Sequence, residues 1–398
     1  MRLTKKLMII FCLTATLAGG CQSSSPRLVE KLLAPDPAAP IDHWVKTSDN
    51  WSLHLLHYPP VKHNPKRVPI VLCHGLSHNN TYWDLTENIS LAKYLQRRGY
   101  DVWSVSLRGS GQSTKPTLSQ IRQLFRLNVS SLNPKGVVNR QPGLLRMNWT
   151  VDDHINRDIP AVLDYVIQET DCPKIVWVGH SMGAMIMFAY LGMYPDAPVQ
   201  SFVALAGPMY LERPANDWLE FLAQSTGITQ VGNLTGGTNL RATLGVLVGN
   251  LITTPVDQLF LNESNVEPRL MRTFYYKNQD DISPGQLDQL LQYVRRGRFT
   301  SYDNTINYTD NVKNITVPIL QIVGQLDNFA EPGFVAIIHN RLESSRKQMR
   351  VFGKINGYRA DYGHDDIIIG KHARDEVFPY IETWLNTESV IALSTKPP

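Results

Sequence analysis

Three residues with complementary chemistry follow three apolar runs of this 398-residue chain. Ser181 lies between two glycines in GHSMG, Asp327 is the third residue after PILQIVG, and His364 lies in YGHDD. A serine hydroxyl is a poor nucleophile until a base accepts its proton, and the base needs an acid that holds its tautomer. Folds that expose a serine at a sharp strand-to-helix turn carry these groups in the order serine, acid, histidine. The pattern predicts a nucleophile, an orienting carboxylate and a general base.

Each of these residues also has a structural explanation. Ser181 would then be only the N-cap of the following helix. Asp327 would be a turn residue, with Glu212 or Asp217 supplying the acid after the preceding strand. His364 would be a histidine of a surface loop. The order of the three motifs along the chain favours the catalytic interpretation.

A tetrahedral oxyanion would need hydrogen-bond donors in addition to these three side chains. The backbone N–H of Met182 is the first candidate, because it opens the helix after Ser181, where the helix dipole favours negative charge. The second is the backbone N–H of Leu76, in the segment His74-Gly75-Leu76 that follows the apolar run VPIVLC. Gly75 would allow the backbone to approach the substrate closely, and His74 is expected to shape the loop.

The remaining polar residues predict neither a metal nor a cofactor. His54 and His57 are three residues apart on a strand, which directs them to opposite faces of the sheet. His339 falls in a helical stretch and His372 in a charged segment, so neither competes with His364 as the base. Asp366 is expected to cap a helix or to orient the histidine.

Apolar runs of strand length alternate with helical stretches, which predicts a mostly parallel sheet covered on both faces. The predicted helices are one that ends by Gly99, one from Thr150 to Glu169 with Asp153 as a capping-box partner, one from Ser181 to Met193, and one that ends near Leu385. The predicted strands are His43–Thr47, Leu53–Tyr58, Val68–Cys73, Asp101–Leu107, Lys174–Val178, Phe202–Ala206, Ile319–Val323 and Gln348–Phe352.

Two long connections interrupt this alternation, at Gln112–Trp149 and from Pro208 to about Thr316. Connections of that length inside an α/β domain are usually functional, so the second is predicted to be a cap or lid. Its apolar stretch from Asn239 to Phe260 would form the cap's own core, a wall of the acyl pocket, or both. Within that stretch, Val248→Asp is expected to weaken a preference for longer acyl chains.

The first twenty residues resemble a targeting signal. A basic start precedes an apolar run from Leu7 to Leu17, which is too short to span a bilayer, and small residues then lead into Cys21. This ending resembles the lipobox of bacterial lipoproteins, which implies a lipidated Cys21 and a polar, Pro-rich tether after it. The resemblance predicts a protein held at a membrane of the bacterial cell envelope. Gln22 after the cysteine favours the outer membrane where the host has one.

Composition excludes one class of partner. The chain has a net charge of +4, and loss of the signal removes three basic residues and leaves about +1. Nucleic acid is therefore not an expected partner, because phosphate binding requires a concentrated basic face. Cys73 and Cys172 are expected at opposite ends of neighbouring parallel strands, so two free thiols are predicted.

Five motifs of the chain resemble the α/β-hydrolase superfamily, and most of all its acid-lipase-like ester hydrolases. They are HGL after a buried strand, GYDVWSVSLRGSG, GHSMG, GQLD and YGHDD. The resemblance runs from about His43 to Leu385 and implies an α/β-hydrolase fold with an inserted cap. Met182 stands where acid lipases commonly carry glutamine, and the cap does not align. The expected boundaries are a signal at 1–20, a tether at 21–40, the core at 41–207 and 317–388, the cap at 208–316 and a tail at 389–398.

The resemblance implies a membrane-anchored serine ester hydrolase that acts through an acyl-enzyme on a small-molecule or lipid ester with an apolar acyl chain. One alternative is an acyltransferase that uses the same acyl-enzyme, as a relative of the polyhydroxyalkanoate synthases would. Those synthases use a cysteine nucleophile, whereas this chain has Ser181 at the turn. A second alternative is a non-catalytic lipoprotein with a hydrolase fold. Protein partners and oligomeric state are left open.

Overall fold

The computed structural model describes residues 39–62, 67–115, 149–212, 260–280 and 282–389. The described strands form one eight-stranded sheet in the order β1-β2-β4-β3-β5-β6-β7-β8. The strands are β1 (Ile41–Lys46), β2 (Ser52–Tyr58), β3 (Ile70–Cys73), β4 (Val102–Ser106), β5 (Ile175–His180), β6 (Val199–Leu205), β7 (Ile319–Gly324) and β8 (Lys347–Phe352).

The sheet is antiparallel at one edge and parallel elsewhere. β1 pairs with β2, and β2 with β4, in antiparallel register, whereas all pairings from β4 through β3 to β8 are parallel. Every residue of β3, β4, β5 and β7 is buried, as expected for strands covered on both faces. The predicted α/β-hydrolase architecture with a mostly parallel sheet is confirmed.

Helices and helical turns connect the strands. The α-helices are α1 (Leu91–Gln96), α2 (Val151–Asp153), α3 (Ile159–Thr170), α4 (Met182–Met193), α5 (Pro268–Asn278), α6 (Pro284–Arg296), α7 (Tyr308–Asn311), α8 (Pro332–Arg341), α9 (Asp366–Ile369) and α10 (Ala373–Glu388). Within the described residues, no helix combines the length and the apolar character needed to cross a lipid bilayer.

The helix after β5 is apolar on all sides. Residues Met182 to Gly192 of α4 are all buried, which is the pattern of a helix enclosed by the core rather than one that faces solvent. It contacts β5 and the helical segment His154–Asp158. Ser181 therefore directly precedes a helix that is enclosed by the core.

The predicted helix start at Thr150 is confirmed. The N–H of Thr150 donates to Asp153 Oδ2 at 2.8 Å, and the two residues form a capping box. One turn of π-helix, His154–Asp158, then joins α2 to α3. Pro160 is the second residue of α3, and because the π-turn continues the helix into α3, its missing N–H removes one backbone donor from that segment.

The helix expected to end by Gly99 is much shorter than the segment before it suggested. A 3-10 turn, Asn80–Trp83, comes first, and α1 covers only Leu91–Gln96. Asn79 and Ser90 each accept a hydrogen bond from a main-chain N–H at the start of these elements. Short polar side chains of this kind compete with a continuous helix for backbone donors.

Two further expectations concern the cysteines and the long connections. Cys73 and Cys172 are both free and buried, as predicted.

Most of the connection at 112–149 lies outside the described residues. So do Val248 and nearly all of the stretch from 239 to 260. After β6 the chain is bonded to the end of α6, where the N–H of Leu211 donates to the carbonyl of Gly297 at 3.1 Å. The proposed domain boundaries stay predictions.

Candidate active site

Ser181 occupies a strained turn between β5 and α4. Its φ is +51° and its ψ is −118°, in a region that non-glycine residues rarely adopt and that costs about 1–3 kcal/mol. The flanking glycines make the turn feasible. A Cβ at Gly179 would collide with the carbonyl of Gly183, and a Cβ at Gly183 would collide with the carbonyl of Cys73. The Ser181 side chain makes no capping hydrogen bond to α4, so the helix-cap explanation does not hold.

His364 and Asp327 form a direct pair. Nδ1 of His364 lies 2.9 Å from Oδ2 of Asp327, and both residues are buried. The other carboxylate oxygen accepts hydrogen bonds from the N–H groups of Phe329 at 2.9 Å and Ala330 at 2.7 Å. Because an ionised carboxylate only accepts, Nδ1 carries the hydrogen and Nε2 keeps a lone pair. The geometry is that of an acid that orients a base.

The charge of this pair changes the basicity of the imidazole. Burial alone would lower the pKa of His364, but the negative charge and the hydrogen bond of Asp327 act in the opposite direction and leave the pKa above its usual value. Asp365 and Asp366 add smaller contributions of the same sign. The imidazolium that would form during proton transfer is thereby stabilised.

The elbow and the histidine loop meet through the residue before Ser181. Nε2 of His180 lies 3.0 Å from the carbonyl oxygen of His364, and the two rings are 4.9 Å apart between centroids. Ser181 follows β5, Asp327 follows β7 and His364 follows β8, so all three lie beyond the carboxyl ends of parallel strands. That rim is where open α/β sheets gather their functional groups.

The loop after β3 lies directly against the serine. A Cβ at position 75 would lie 3.0 Å from the Cβ of Ser181, so only glycine fits without displacement. Leu76 follows Gly75, and Met182 opens α4 on the other side of the serine. The first N–H groups of a helix have no intrahelical partner, which leaves the Met182 N–H available as a donor. The sequence-based oxyanion candidates therefore both belong to segments that border Ser181.

His74 supports this loop, as the sequence suggested. Its Nε2 accepts a hydrogen bond from the N–H of Leu107 at 3.1 Å, so Nδ1 carries the hydrogen and donates to the carbonyl of Gly75 at 2.7 Å. Complete burial lowers the pKa of His74 to about 4, which keeps the ring neutral. The orientation of the Gly75 carbonyl is thus fixed by a neutral imidazole.

Asp366 neither orients His364 nor caps a helix through its side chain. Its Oδ1 accepts from the N–H of Gly363 at 2.9 Å and from that of Asn262 at 3.0 Å, and its Oδ2 accepts from Nδ2 of Asn265 at 2.7 Å. Burial raises the pKa of Asp366 to about 7, although these three hydrogen bonds act to lower it. The carboxyl group joins the histidine loop to the segment that enters α5.

Sequence reasoning missed three neighbours of His364. Phe260 and Phe329 pack edge-on against the His364 ring, at 5.7 and 5.6 Å between centroids. His180 received no role, although it lies inside GHSMG. Its position beside Ser181 was the available signal, because His180 contacts His364.

One group of buried residues has the composition of a metal site. Atoms of His78, His180 and Asp365 lie within 4.8 Å of one another, within the ranges that the structure describes. The Nε2 atom of His180 is 4.0 Å from Oδ1 of Asp365, but it faces the His364 carbonyl at 3.0 Å and must carry a hydrogen there. A nitrogen that donates has no lone pair for a cation, so we assign this nitrogen to hydrogen bonding.

Solved structures share the fold of this chain. An esterase from Exiguobacterium antarcticum superposes with a TM-score of 0.56 at 16% identity, over 87% of this chain and 100% of that one. A monoacylglycerol lipase from Paleococcus ferrophilus gives a TM-score of 0.53 at 17% identity, over 85% of this chain and 99% of the other.

Sequence comparison adds relatives and a family. The gastric triacylglycerol lipase of Rattus norvegicus is 25% identical over 373 residues, which cover 85% of this chain and 86% of the lipase. Triacylglycerol lipase 1 of Arabidopsis thaliana is 24% identical over 398 residues and 89% of each chain. A family model for the alpha/beta hydrolase fold matches residues 68–353, well over half of the chain. The chain therefore belongs to the α/β-hydrolase fold family.

Proposed function

We propose that this protein is a serine ester hydrolase, held at a membrane through a lipidated Cys21, that cleaves esters with an apolar acyl chain. The observation that carries the proposal is the strained Ser181 turn: the Gly75 loop lies against the serine, and His180, the residue before it, is bonded to the main chain of His364, which pairs with Asp327. The relatives that are named lipases, and the family to which the chain belongs, support an ester as the substrate.

In this mechanism the Ser181 hydroxyl attacks the ester carbonyl while Nε2 of His364 accepts its proton. The N–H groups of Leu76 and Met182 stabilise the oxyanion of the tetrahedral intermediate. The intermediate collapses, the bond to the alcohol breaks, and His364 returns the proton to that alcohol. Water then attacks the acyl-enzyme by the same steps and releases the carboxylic acid. Asp327 keeps the proton-bearing Nδ1 of His364 in place throughout.

A fluorophosphonate probe tests the nucleophile. The folded wild-type protein should be labelled, and Ser181→Ala should abolish labelling, whereas Ser345→Ala at an exposed serine should leave it unchanged. Labelling that survives Ser181→Ala would refute the assignment. Product analysis with and without an added alcohol separates hydrolysis from acyl transfer, because transfer yields a new ester in place of the acid.

Chain-length preference tests the substrate class. Each buried methylene contributes about 0.8 kcal/mol, so a chain longer by four carbons gains about 3 kcal/mol if the site receives all of it. We expect kcat/KM for p-nitrophenyl esters to rise from acetate to medium chain length. A profile that is highest at acetate and falls steadily would contradict the apolar acyl chain.

Cys21→Ser tests the anchor. The basic start, the short apolar run and the small residues before Cys21 support lipidation. Two or more acyl chains suffice for stable attachment, so the wild-type protein should sediment with membranes and Cys21→Ser should be released in soluble form. Retention of the variant on membranes would contradict the anchor without affecting the proposed chemistry.

A further inference from the structure

We infer that His180, the residue before the nucleophile, is a positioning residue for the general base: its Nε2–H holds the main-chain carbonyl of His364 and so sets the base relative to Ser181. The inference rests on the proposed function, since it concerns the geometry of that same reaction. His180 itself touches neither substrate nor reacting atoms.

The direction of the hydrogen bond follows from its acceptor. Nε2 of His180 lies 3.0 Å from the carbonyl oxygen of His364, and a carbonyl can only accept. The hydrogen is therefore on Nε2, and Nδ1 keeps a lone pair. His180 is completely buried, and this burial, together with the nearby His364 ring, holds the pKa of His180 well below its usual value. The ring is neutral and remains a donor at this atom.

The His180 ring is held on two sides. The ring of Tyr82 stacks on it at 4.8 Å between centroids with 29° between planes. On the Gly75 side, a Cβ at position 75 would lie 3.1 Å from Nδ1 of His180. The imidazole cannot rotate away without moving the Gly75 loop or Tyr82, so the Nε2–H donor of His180 is preorganised.

Neighbouring groups of the histidine loop are also bonded, but none of those bonds comes from the elbow. The Tyr82 hydroxyl donates to the carbonyl of Asp365 at 3.3 Å. The N–H of Asp365 donates to the carbonyl of Phe260 at 2.7 Å, and that of Gly363 donates to Asp366. His180 differs from these partners because the peptide bond that follows it leads directly into Ser181.

This connection gives the contact its functional meaning. Asp327 fixes the orientation of the imidazole, but it is carried by the loop after β7. Of the hydrogen bonds described above, only the one from His180 joins the main chain of His364 to the residue that directly precedes Ser181. Displacement of a catalytic group by about 1 Å can reduce the rate about 100-fold.

Three substitutions separate the hydrogen bond from the shape of the ring. His180→Gln can place an amide N–H close to the position of Nε2. His180→Asn carries the same donor on a side chain too short to reach that position, and His180→Phe keeps a ring but has no donor. We expect kcat for a p-nitrophenyl ester to fall about 10- to 100-fold in the Asn and Phe variants, with KM within about threefold of wild type. The Gln variant should recover most of kcat.

Controls distinguish positioning from general destabilisation. His57→Phe makes the same chemical change at a histidine that contacts Asp101, at the opposite end of the parallel strands, and should leave kcat unchanged. Thermal unfolding of each variant identifies those that are folded at the assay temperature. If His180→Phe does not fold, the comparison of Gln with Asn decides the question.

Two outcomes would overturn the inference. One is a kcat within about threefold of wild type in folded His180→Asn and His180→Phe. The other is an equal loss in all three variants, which would assign the effect to ring packing. Failure of the proposed function itself would look different, because wild-type protein would then neither hydrolyse esters nor react with the fluorophosphonate probe.

Discussion

Nη2 of Arg108 lies 2.7 Å from Oδ1 of Asp158, and neither side chain is accessible to solvent beyond 1%. The same carboxylate accepts from the main-chain N–H of Arg108 at 3.2 Å and contacts Nδ1 of His154 at 2.7 Å. Burial alone would raise the pKa of Asp158, but the Arg108 charge and the bonds to His154 outweigh burial and lower it. The arginine of this buried ion pair directly follows Leu107, whose N–H donates to His74 in the loop after β3.

Loss of the arginine should therefore be severe. Arg108→Met leaves Asp158 buried without its main counter-charge, and removal of one partner of such a pair typically costs about 3–5 kcal/mol. Arg157→Met is the matched control, because Arg157 pairs with Asp49 at 2.6 Å but is 43% exposed, and such pairs contribute about 1 kcal/mol or less. Urea denaturation at pH 7 measures both. If both variants lost an equally small free energy of unfolding, burial would not explain the strength of the Arg108–Asp158 pair.

The activity should decline on the acid side at a pH set by His364. The base must be neutral, and its pKa is raised, so kcat/KM should fall as pH drops through a midpoint above 6.5. Asp327→Asn removes the charge that raises this pKa, so the midpoint should move to lower pH while the rate falls on the order of 10³- to 10⁴-fold. Asp375→Asn, at an exposed carboxylate, is the control. An unchanged midpoint in Asp327→Asn would exclude this pairing.

The same shift has a consequence for stability. A histidine whose folded-state pKa is raised stabilises the protein fully below its unfolded pKa, and this contribution is lost as pH rises through the folded value. His364 should therefore contribute more to the free energy of unfolding at pH 6 than at pH 9. The difference between wild type and His364→Gln, measured by urea denaturation at both pH values, should shrink as pH rises.

An alanine at position 75 should damage the site without unfolding the protein. Its Cβ would lie 3.0 Å from the Cβ of Ser181 and 3.1 Å from Nδ1 of His180, so at least one of these must shift. We expect a loss of at least about 10-fold in kcat/KM. Gly333→Ala, at the start of α8, is the control, because its new Cβ meets nothing within 4 Å. Removal of a helical glycine there should increase the free energy of unfolding by up to about 1 kcal/mol and leave the activity unchanged. Full activity in Gly75→Ala would contradict the close approach.

Backbone strain at the nucleophile should appear in the stability of inactive variants. With φ at +51°, an alanine at position 181 keeps the strain of the wild-type serine, whereas a glycine relieves it. Ser181→Gly should be about 1 kcal/mol more stable than Ser181→Ala in thermal unfolding, although both should lack activity. Equal melting temperatures would mean that the turn stores no strain.

The architecture could largely be predicted from the sequence because apolar runs and turn residues are local signals. The strands around Ser181 and Asp327 lie within a few residues of their predicted positions, and the pairing of Asp327 with His364 agrees with the predicted order of groups. The predicted length of α1 was wrong. The side chains of Asn79 and Ser90 compete with a continuous helix for backbone N–H groups, and the tertiary structure decides the outcome of that competition.

Contacts between distant segments were not predictable from these patterns. His180 and His364 are 184 positions apart, and Asp366 finds Asn262 at a separation of 104. No periodicity relates such positions, since the contacts arise only when the strands assemble in their spatial order. The role expected for Asp366 was wrong for this reason: its position near His364 along the chain suggested a partner that the fold replaces with Asn262 and Asn265.

The anchoring of the chain at Leu211 and Phe260 bears on how such proteins diversify. Leu211 is bonded to Gly297 and Phe260 to Asp365, so the residues between them start and finish at fixed points of the core. In general, the free energy of closing a loop changes by only about 0.6 kcal/mol for each doubling of its length. A relative with a longer or shorter connection between these two points can therefore keep the core bonds of Leu211 and Phe260, and with them the arrangement around Ser181.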